Sequence, residues 1–166
     1  FITAALSGEL RIDFLDVGQG DSILIQSPAG KIVLIDGGTG KRGGVNSKLR
    51  ERGVTTIDLM VATHAHADHI GGLDEAIHAF ETKRFLDSGL PHTTQTYNRL
   101  MDLVESKKID YLQAKSGRIF NLDDGISLEI LHPSTTMLRN TRSDLNSNSV
   151  VLKLTHGHNC FLFTGD

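Results

Sequence analysis

The sequence predicts a layered α/β domain, and three observations carry that prediction. Strand and helix patterns alternate in the N-terminal part in the order strand, helix, strand, turn, helix, as a sheet covered by helices requires. The C-terminal part gives short strands separated by turn residues. Between them, the apolar run at 57–62 ends in the segment THAHADHIGGL at 63–73, whose polar density packing alone does not explain. With 166 residues, 39% of them hydrophobic, the chain is long enough for one domain with its own core.

The elements follow in order. Residues 10–16 alternate apolar and polar side chains and 22–26 do so less cleanly, so both read as strands. The turn between them, 17–21, holds Gly18 and Gly20 and fits a tight hairpin. Its glycines are two apart and no Lys-Ser or Lys-Thr pair follows, which excludes a P-loop. Pro28 and Gly30 mark a turn, and 31–35 is a third strand ending at Asp36. A carboxylate at the mouth of a buried strand is costly when unpaired, so Asp36 needs a partner. Residues 39–45 read as a mobile loop, with Lys41 and Arg42 as a solvated charge pair. A helix is predicted over 46–52, capped by Asn46 or Ser47 and stopped by Gly53, and it leads to the strand at 57–62.

Leu73, Ile77 and Phe80 recur at helical spacing, which leaves His78 toward solvent. A strand at 82–86 opens into a loop holding His92, Thr93, Thr94, Thr96 and Tyr97, more polar groups than a connector needs, so His92 is a candidate substrate contact. Residues 97–106 place Leu100, Leu103 and Val104 along one helix face. Short strands are predicted at 109–112, 118–122 and 126–131, then a polar loop over 134–149. Strands at 150–154 and 160–163 form a hairpin, with His156 and His158 exposed on its turn. The single cysteine, Cys160, excludes an intrachain disulfide and reads as a small buried apolar residue.

The chemistry concentrates at His64, His66, Asp68 and His69. Side chains of an extended chain alternate with period 2, so a strand ending here sends His64 and His66 to the same side, where two imidazoles can bind one cation. Asp68 and His69 follow on a turn into the next helix and can serve a second cation. Imidazole and carboxylate without thiolate suit zinc, manganese or iron, in a site that keeps water as a ligand.

His-x-His-x-Asp-His after a strand resembles the signature of the metallo-β-lactamase superfamily, and residues 64–69 match it in full. The opening LDVGQGDS at 15–22 and LIDGG at 34–38 look more narrowly like the metallo-hydrolase domain of DNA-uptake competence proteins of the ComEC/Rec2 type. NSNS at 146–149 and TGD at 164–166 are similar both to that group and to phosphorylcholine esterases. The resemblance implies an αββα sandwich, of which residues 10–166 form an N-terminal part that ends at the bridging aspartate, Asp166. A further half is expected beyond it, and Asp166 is expected to fray. Residues 1–9 are expected to be a linker or a processed segment.

The resemblance also assigns roles. It implies two divalent metal ions, zinc or manganese, held by His64, His66, Asp68, His69 and Asp166. Asp68 is in addition a catalytic group that meets the activated water. Asp36 accepts a hydrogen bond from a ligand histidine or its turn and fixes the ring. The glycine loop at 17–21 lines the cleft, and His132 is structural or merely near it. Asn146 and Asn148 fall where many members carry another histidine ligand, and are assigned to substrate or a bound water. The implied reaction is hydrolysis of phosphodiesters, DNA foremost, with a small phosphoester such as a choline phosphodiester, or another ester, as the alternative, β-lactams below both, and a non-catalytic DNA-uptake module as the reading outside enzymology.

Composition narrows the partners. The formal net charge of -3 is not the basic footprint of a protein that holds nucleic acid mainly through its phosphates, so a polyanion must be gripped locally or through metal. No run approaches the roughly 18 to 20 apolar residues of a membrane span. The resemblance nevertheless implies a membrane-attached or extracytoplasmic parent protein. Oligomeric state is open.

Overall fold

Strands that look uniformly apolar in this sequence are buried on both faces, and that fact organises the fold. The computed structural model describes residues 8–40 and 44–166. The first half runs β1 (Arg11–Phe14), β2 (Ile23–Gln26), β3 (Ile32–Ile35), α1 (Val45–Glu51), β4 (Thr56–Ile57), β5 (Leu59–Val61), α2 (Ala67–Ile70), α3 (Leu73–Ala79) and β6 (Glu81–Thr82). The second half runs β7 (Arg84–Asp87), α4 (Gln95–Ser106), β8 (Asp110–Gln113), β9 (Ile119–Asp123), β10 (Ile126–His132), α5 (Asp144–Ser147), β11 (Val151–His156) and β12 (Asn159–Phe163).

Six strands form a mixed sheet in the order β1-β2-β3-β5-β7-β8, and four form an antiparallel sheet in the order β12-β11-β10-β9. Alternation divides the side chains of the large sheet. Leu24, Leu34, Met60 and Phe85 pack toward the helices with Val45, Leu49, Leu73, Ile77, Leu100 and Val104. Ile25, Val33, Ile35, Leu59, Val61 and Leu86 face the second sheet and meet Leu128, Ile130, Leu152 and Leu154. The helices thus cover one face, as expected, and the second sheet covers the other. This is the α/β/β portion of the sandwich.

Local differences have physical causes. The predicted strand at 57–62 is broken at Asp58, whose carboxylate accepts from the Ile32 amide (3.0 Å) while its own amide donates to the Ile32 carbonyl (2.9 Å). β4 therefore leaves the main sheet and pairs with β6. Gly44, not Asn46 or Ser47, precedes α1; Asn46 instead donates to the Glu75 carbonyl (3.1 Å) and Ser47 to that of Gly44 (3.0 Å). Two short helices, α2 and α5, lie where turn and loop are predicted. Cys160 corrects the expectation of burial: it is exposed, as are Phe161 and Leu162, because β12 is an edge strand paired only with β11 among the described residues. Lys41, Arg42 and residues 1–7 lie outside the described residues. His78 is exposed, and so are His156 and His158.

Candidate metal centre

The site assembles where parallel strands end. β3, β5 and β7 are parallel neighbours, with Ile35 opposite Val61 and Val61 opposite Leu86, so the residues that follow them emerge at one edge. Ligand sites in open α/β sheets lie at such carboxyl ends. Asp36 follows β3, and His64 follows β5. The second sheet adds the rest: the Val150 amide donates to the Thr63 carbonyl (2.8 Å), docking the start of β11 beside the histidine segment, and β12 carries the chain on to Asp166.

Strand alternation is not what brings the histidines together. β5 stops at Val61, and the chain bends through 63–65 before α2 begins. His64 and His66 still meet, ring centroids 4.7 Å apart and edge to face, and the His64 and His69 rings lie 4.1 Å apart. His66 caps α2 by position, which puts Asp68 and His69 in its single turn. His64, His69 and Asp166 each offer a ligand atom, all within 4.8 Å of one another. His66 and Asp68 flank that trio, half-buried. One member of each sequence pair thus shares the tightest group.

Asp36, fully buried, accepts three hydrogen bonds: from the Thr63 amide (2.8 Å), the Thr63 hydroxyl (2.6 Å) and His69 Nδ1 (2.8 Å). Burial pushes its carboxyl above the usual range, while His69 and Thr63 pull it back. The same contact works in reverse on His69: burial favours the neutral ring, but the hydrogen bond and charge of Asp36, then Asp166, raise its pKa. With Nδ1 held against Asp36 Oδ2, His69 turns Nε2 toward Asp166 Oδ1, 3.2 Å away. His64 is different. Burial and the neighbouring His69 and His66 rings lower it to about 4, so it is neutral at pH 7.

The donor chemistry tests whether a metal fits. His64 Nε2 is buried without a hydrogen-bond partner and lies 3.9 Å from Asp166 Oδ2. A proton on His69 would satisfy the His69–Asp166 contact and leave His64 Nε2 orphaned, at a desolvation cost of about 1–3 kcal/mol. A divalent cation would satisfy all three groups. The residues fit one.

Around this trio the other predicted residues separate. Asn146 Nδ2 lies 3.4 Å from Asp166 Oδ2, with Ser143 Oγ donating to its side-chain oxygen (2.9 Å). Asn148 is a correction: it is fully buried, its Nδ2 donating to the carbonyls of Leu138 (3.0 Å) and Asp144 (2.7 Å) and its Oδ1 accepting from the Leu138 amide (2.8 Å). With both ends of its amide spent on the loop, it has nothing to offer a substrate. His92 approaches His66, ring centroids 6.5 Å apart, and Thr94 Oγ1 lies 3.0 Å from its Nδ1. His132 Nε2 sits 3.1 Å from the Ser147 carbonyl.

The glycine loop does more than reverse the chain. Gly20, at φ 87°, lies so close to the Asp68 carbonyl that any Cβ there would overlap it, and Gln19 Nε2 reaches Asp68 Oδ2 at 3.4 Å. Burial raises the Asp68 carboxyl, but its backbone hydrogen bond, His69 and Gln19 together hold it below the ordinary value. Sequence reasoning missed Gln19 and Thr63 as parts of the site. A carboxamide between two glycines, and a hydroxyl directly before the first histidine, were the available signals.

A two-sheet sandwich with helices outside and a histidine–aspartate cluster at its parallel strand ends defines a known class. The family model of the metallo-beta-lactamase superfamily matches residues 15–136, and the chain belongs to that superfamily. Among curated proteins it is similar to ComE operon protein 3 of Bacillus subtilis (strain 168), 23% identical over 184 residues, which cover all of this chain and 23% of that protein. Among solved structures it resembles Igni18, a metallo hydrolase from Ignicoccus hospitalis (TM-score 0.56, 19% identity, 95% of this chain and 60% of that one). It also resembles CmlA, a diiron beta-hydroxylase from Streptomyces venezuelae (TM-score 0.57, 18% identity, 94% of this chain and 29% of that one). The chain spans under a quarter of ComE operon protein 3 and about three fifths of Igni18. Such likeness establishes the fold, and the chemistry has to be argued from the site.

Proposed function

We propose that this chain carries the metal centre of a hydrolase that cleaves phosphodiesters, DNA foremost, using water activated by two divalent cations, zinc or manganese. The observation that carries the reading is the convergence of His64, His69 and Asp166, each offering a ligand atom within 4.8 Å of the others, with His64 Nε2 buried and without a hydrogen-bond partner. His64, His69 and Asp166, with His66 and Asp68 beside them, would hold the cations. Paired cations supply Lewis acidity that makes water nucleophilic near neutral pH.

The chain's own residues supply the rest. Asp68, held ionised, is placed to take the proton that the attacking water loses. Asp36 keeps the His69 ring in one orientation. Asn146 steadies Asp166, and His92, on the loop before α4, reaches over His66 to meet a substrate oxygen. DNA ranks first because LDVGQGDS at 15–22 and NSNS at 146–149 resemble the metallo-hydrolase domain of DNA-uptake competence proteins. The net charge of -3 favours a small phosphoester as the second reading, since no basic surface is needed to hold one.

The test assays single-stranded DNA and bis-p-nitrophenyl phosphate with manganese or zinc, beside a variant carrying His64→Ala and Asp68→Ala, in the full-length protein. Cleavage of DNA that vanishes in the variant supports the reading. Cleavage of the small ester alone selects the second reading, and DNA binding without cleavage in either form identifies a non-catalytic module.

A further inference from the structure

Thr63 is buried at 1% exposure, yet every polar atom it owns is engaged. Its amide donates to Asp36 Oδ1 and its carbonyl accepts from the Val150 amide. Its hydroxyl has two neighbours: Asp36 Oδ2 at 2.6 Å and His64 Nδ1 at 3.1 Å. A hydroxyl has one proton to give. The shorter contact has the length of a hydrogen bond donated to a carboxylate, and Asp36 is ringed by donors, so the proton goes there. Toward His64, then, Oγ1 can only accept. The proton it accepts must sit on Nδ1, which leaves Nε2 bare, and Nε2 is the atom that is buried without a partner and faces Asp166.

We propose that Thr63 is a positioning residue that fixes the tautomer of His64, relaying the orienting effect of Asp36 to a second imidazole. One buried carboxylate thereby sets both rings of the trio: His69 directly, and His64 through a hydroxyl. Without the hydroxyl, His64 is free to place its proton on Nε2, where it blocks the centre. The geometry stands by itself; the consequence for metal affinity rests on the proposed metal centre.

The experiment uses Thr63→Val, which keeps volume and the backbone bond, and Thr63→Ser, which keeps the hydroxyl. Nitrogen NMR of the metal-free protein, well above the imidazole pKa of about 6.5, reads the tautomer of His64 directly. The expected result is Nδ1–H in the wild type and in Thr63→Ser, and a mixture or Nε2–H in Thr63→Val. Zinc affinity, measured by competition with a chromophoric chelator, is expected to fall about 10- to 100-fold in Thr63→Val and to recover in Thr63→Ser. An Nε2–H tautomer in the wild type, or an unchanged Nδ1–H tautomer in Thr63→Val, overturns the proposal. Should Thr63→Val fail to fold, the wild-type and Thr63→Ser spectra decide it. Absence of zinc binding in the wild type would sink the metal reading and leave the tautomer result to judge Thr63.

Discussion

Asp36 adopts a left-handed backbone conformation (φ 57°) at the end of β3, a position that aims its carboxylate into the crowd of donors from Thr63 and His69. Replacing it by alanine removes one acceptor and strands three buried donors. Stability should fall by roughly 3–5 kcal/mol, measured by urea unfolding; a loss below about 1 kcal/mol would mean that the donors find other partners. Asp36→Asn should cost less, because asparagine tolerates this backbone and retains an acceptor. Gln19 makes the opposite case at the same scale. It is exposed and touches Asp68 at 3.4 Å, so Gln19→Ala should leave stability within about 0.5 kcal/mol of wild type while lowering catalytic rate, a separation that a purely structural role would not produce.

At the scale of elements, two devices shape the centre. The first is the glycine loop between β1 and β2, seated against the Asp68 carbonyl. Gly20→Ala would place a methyl carbon 1.6 Å from that oxygen and demands a backbone shift. The expected cost is roughly 2–4 kcal/mol, with divalent-ion affinity lost alongside; an unchanged melting temperature would show that the loop is not anchored there. The second is the break at Asp58 between β4 and β5. Hydrogen bonds from Lys83 (2.9 Å) and Ile32 (3.0 Å), with Lys31 nearby, hold its carboxyl below the usual value despite burial. A carboxylate whose folded pKa is depressed contributes stability above its unfolded pKa of about 3.9, and loses it as pH falls through the folded value. Both lysines are half-exposed and screened by solvent, so the Ile32 bond should dominate. Asp58→Asn should therefore destabilise by about 1–2 kcal/mol at pH 7 and flatten the acid limb of the stability curve. An acid limb identical to wild type would remove Asp58 from the account.

For the molecule as a whole, the centre sits where two cores meet, and metal should couple them. Asp166 reaches His69 only because the second sheet packs on the first and docks at Thr63. A cation held by residues from both sheets binds the folded state alone, so zinc or manganese at about a hundred times its Kd should stabilise by roughly 2.7 kcal/mol. Chelator should reverse the gain, and the His64→Ala, His69→Ala double variant should show none; a thermal midpoint indifferent to both ions would end the metal reading. Among the described residues no helix is long and apolar enough to cross a membrane.

What the sequence determined by itself was what periodicity and local spacing report: the strands of both sheets, the three longer helices, and the cluster at residues 64–69. Those signals are local, because a side chain's face is set by its immediate neighbours in the chain. Tertiary structure alone decided the rest. It broke the strand at Asp58, turned the Asn148 amide inward onto its own loop and left Cys160 uncovered, because periodicity shows which face is apolar and not what lies against it. The roles of Asp36 and Asp166 entered the sequence reading only through the family resemblance; packing within and between the sheets is what joins them and Thr63 to the two imidazoles, and such long-range contacts leave no periodic trace in a single sequence.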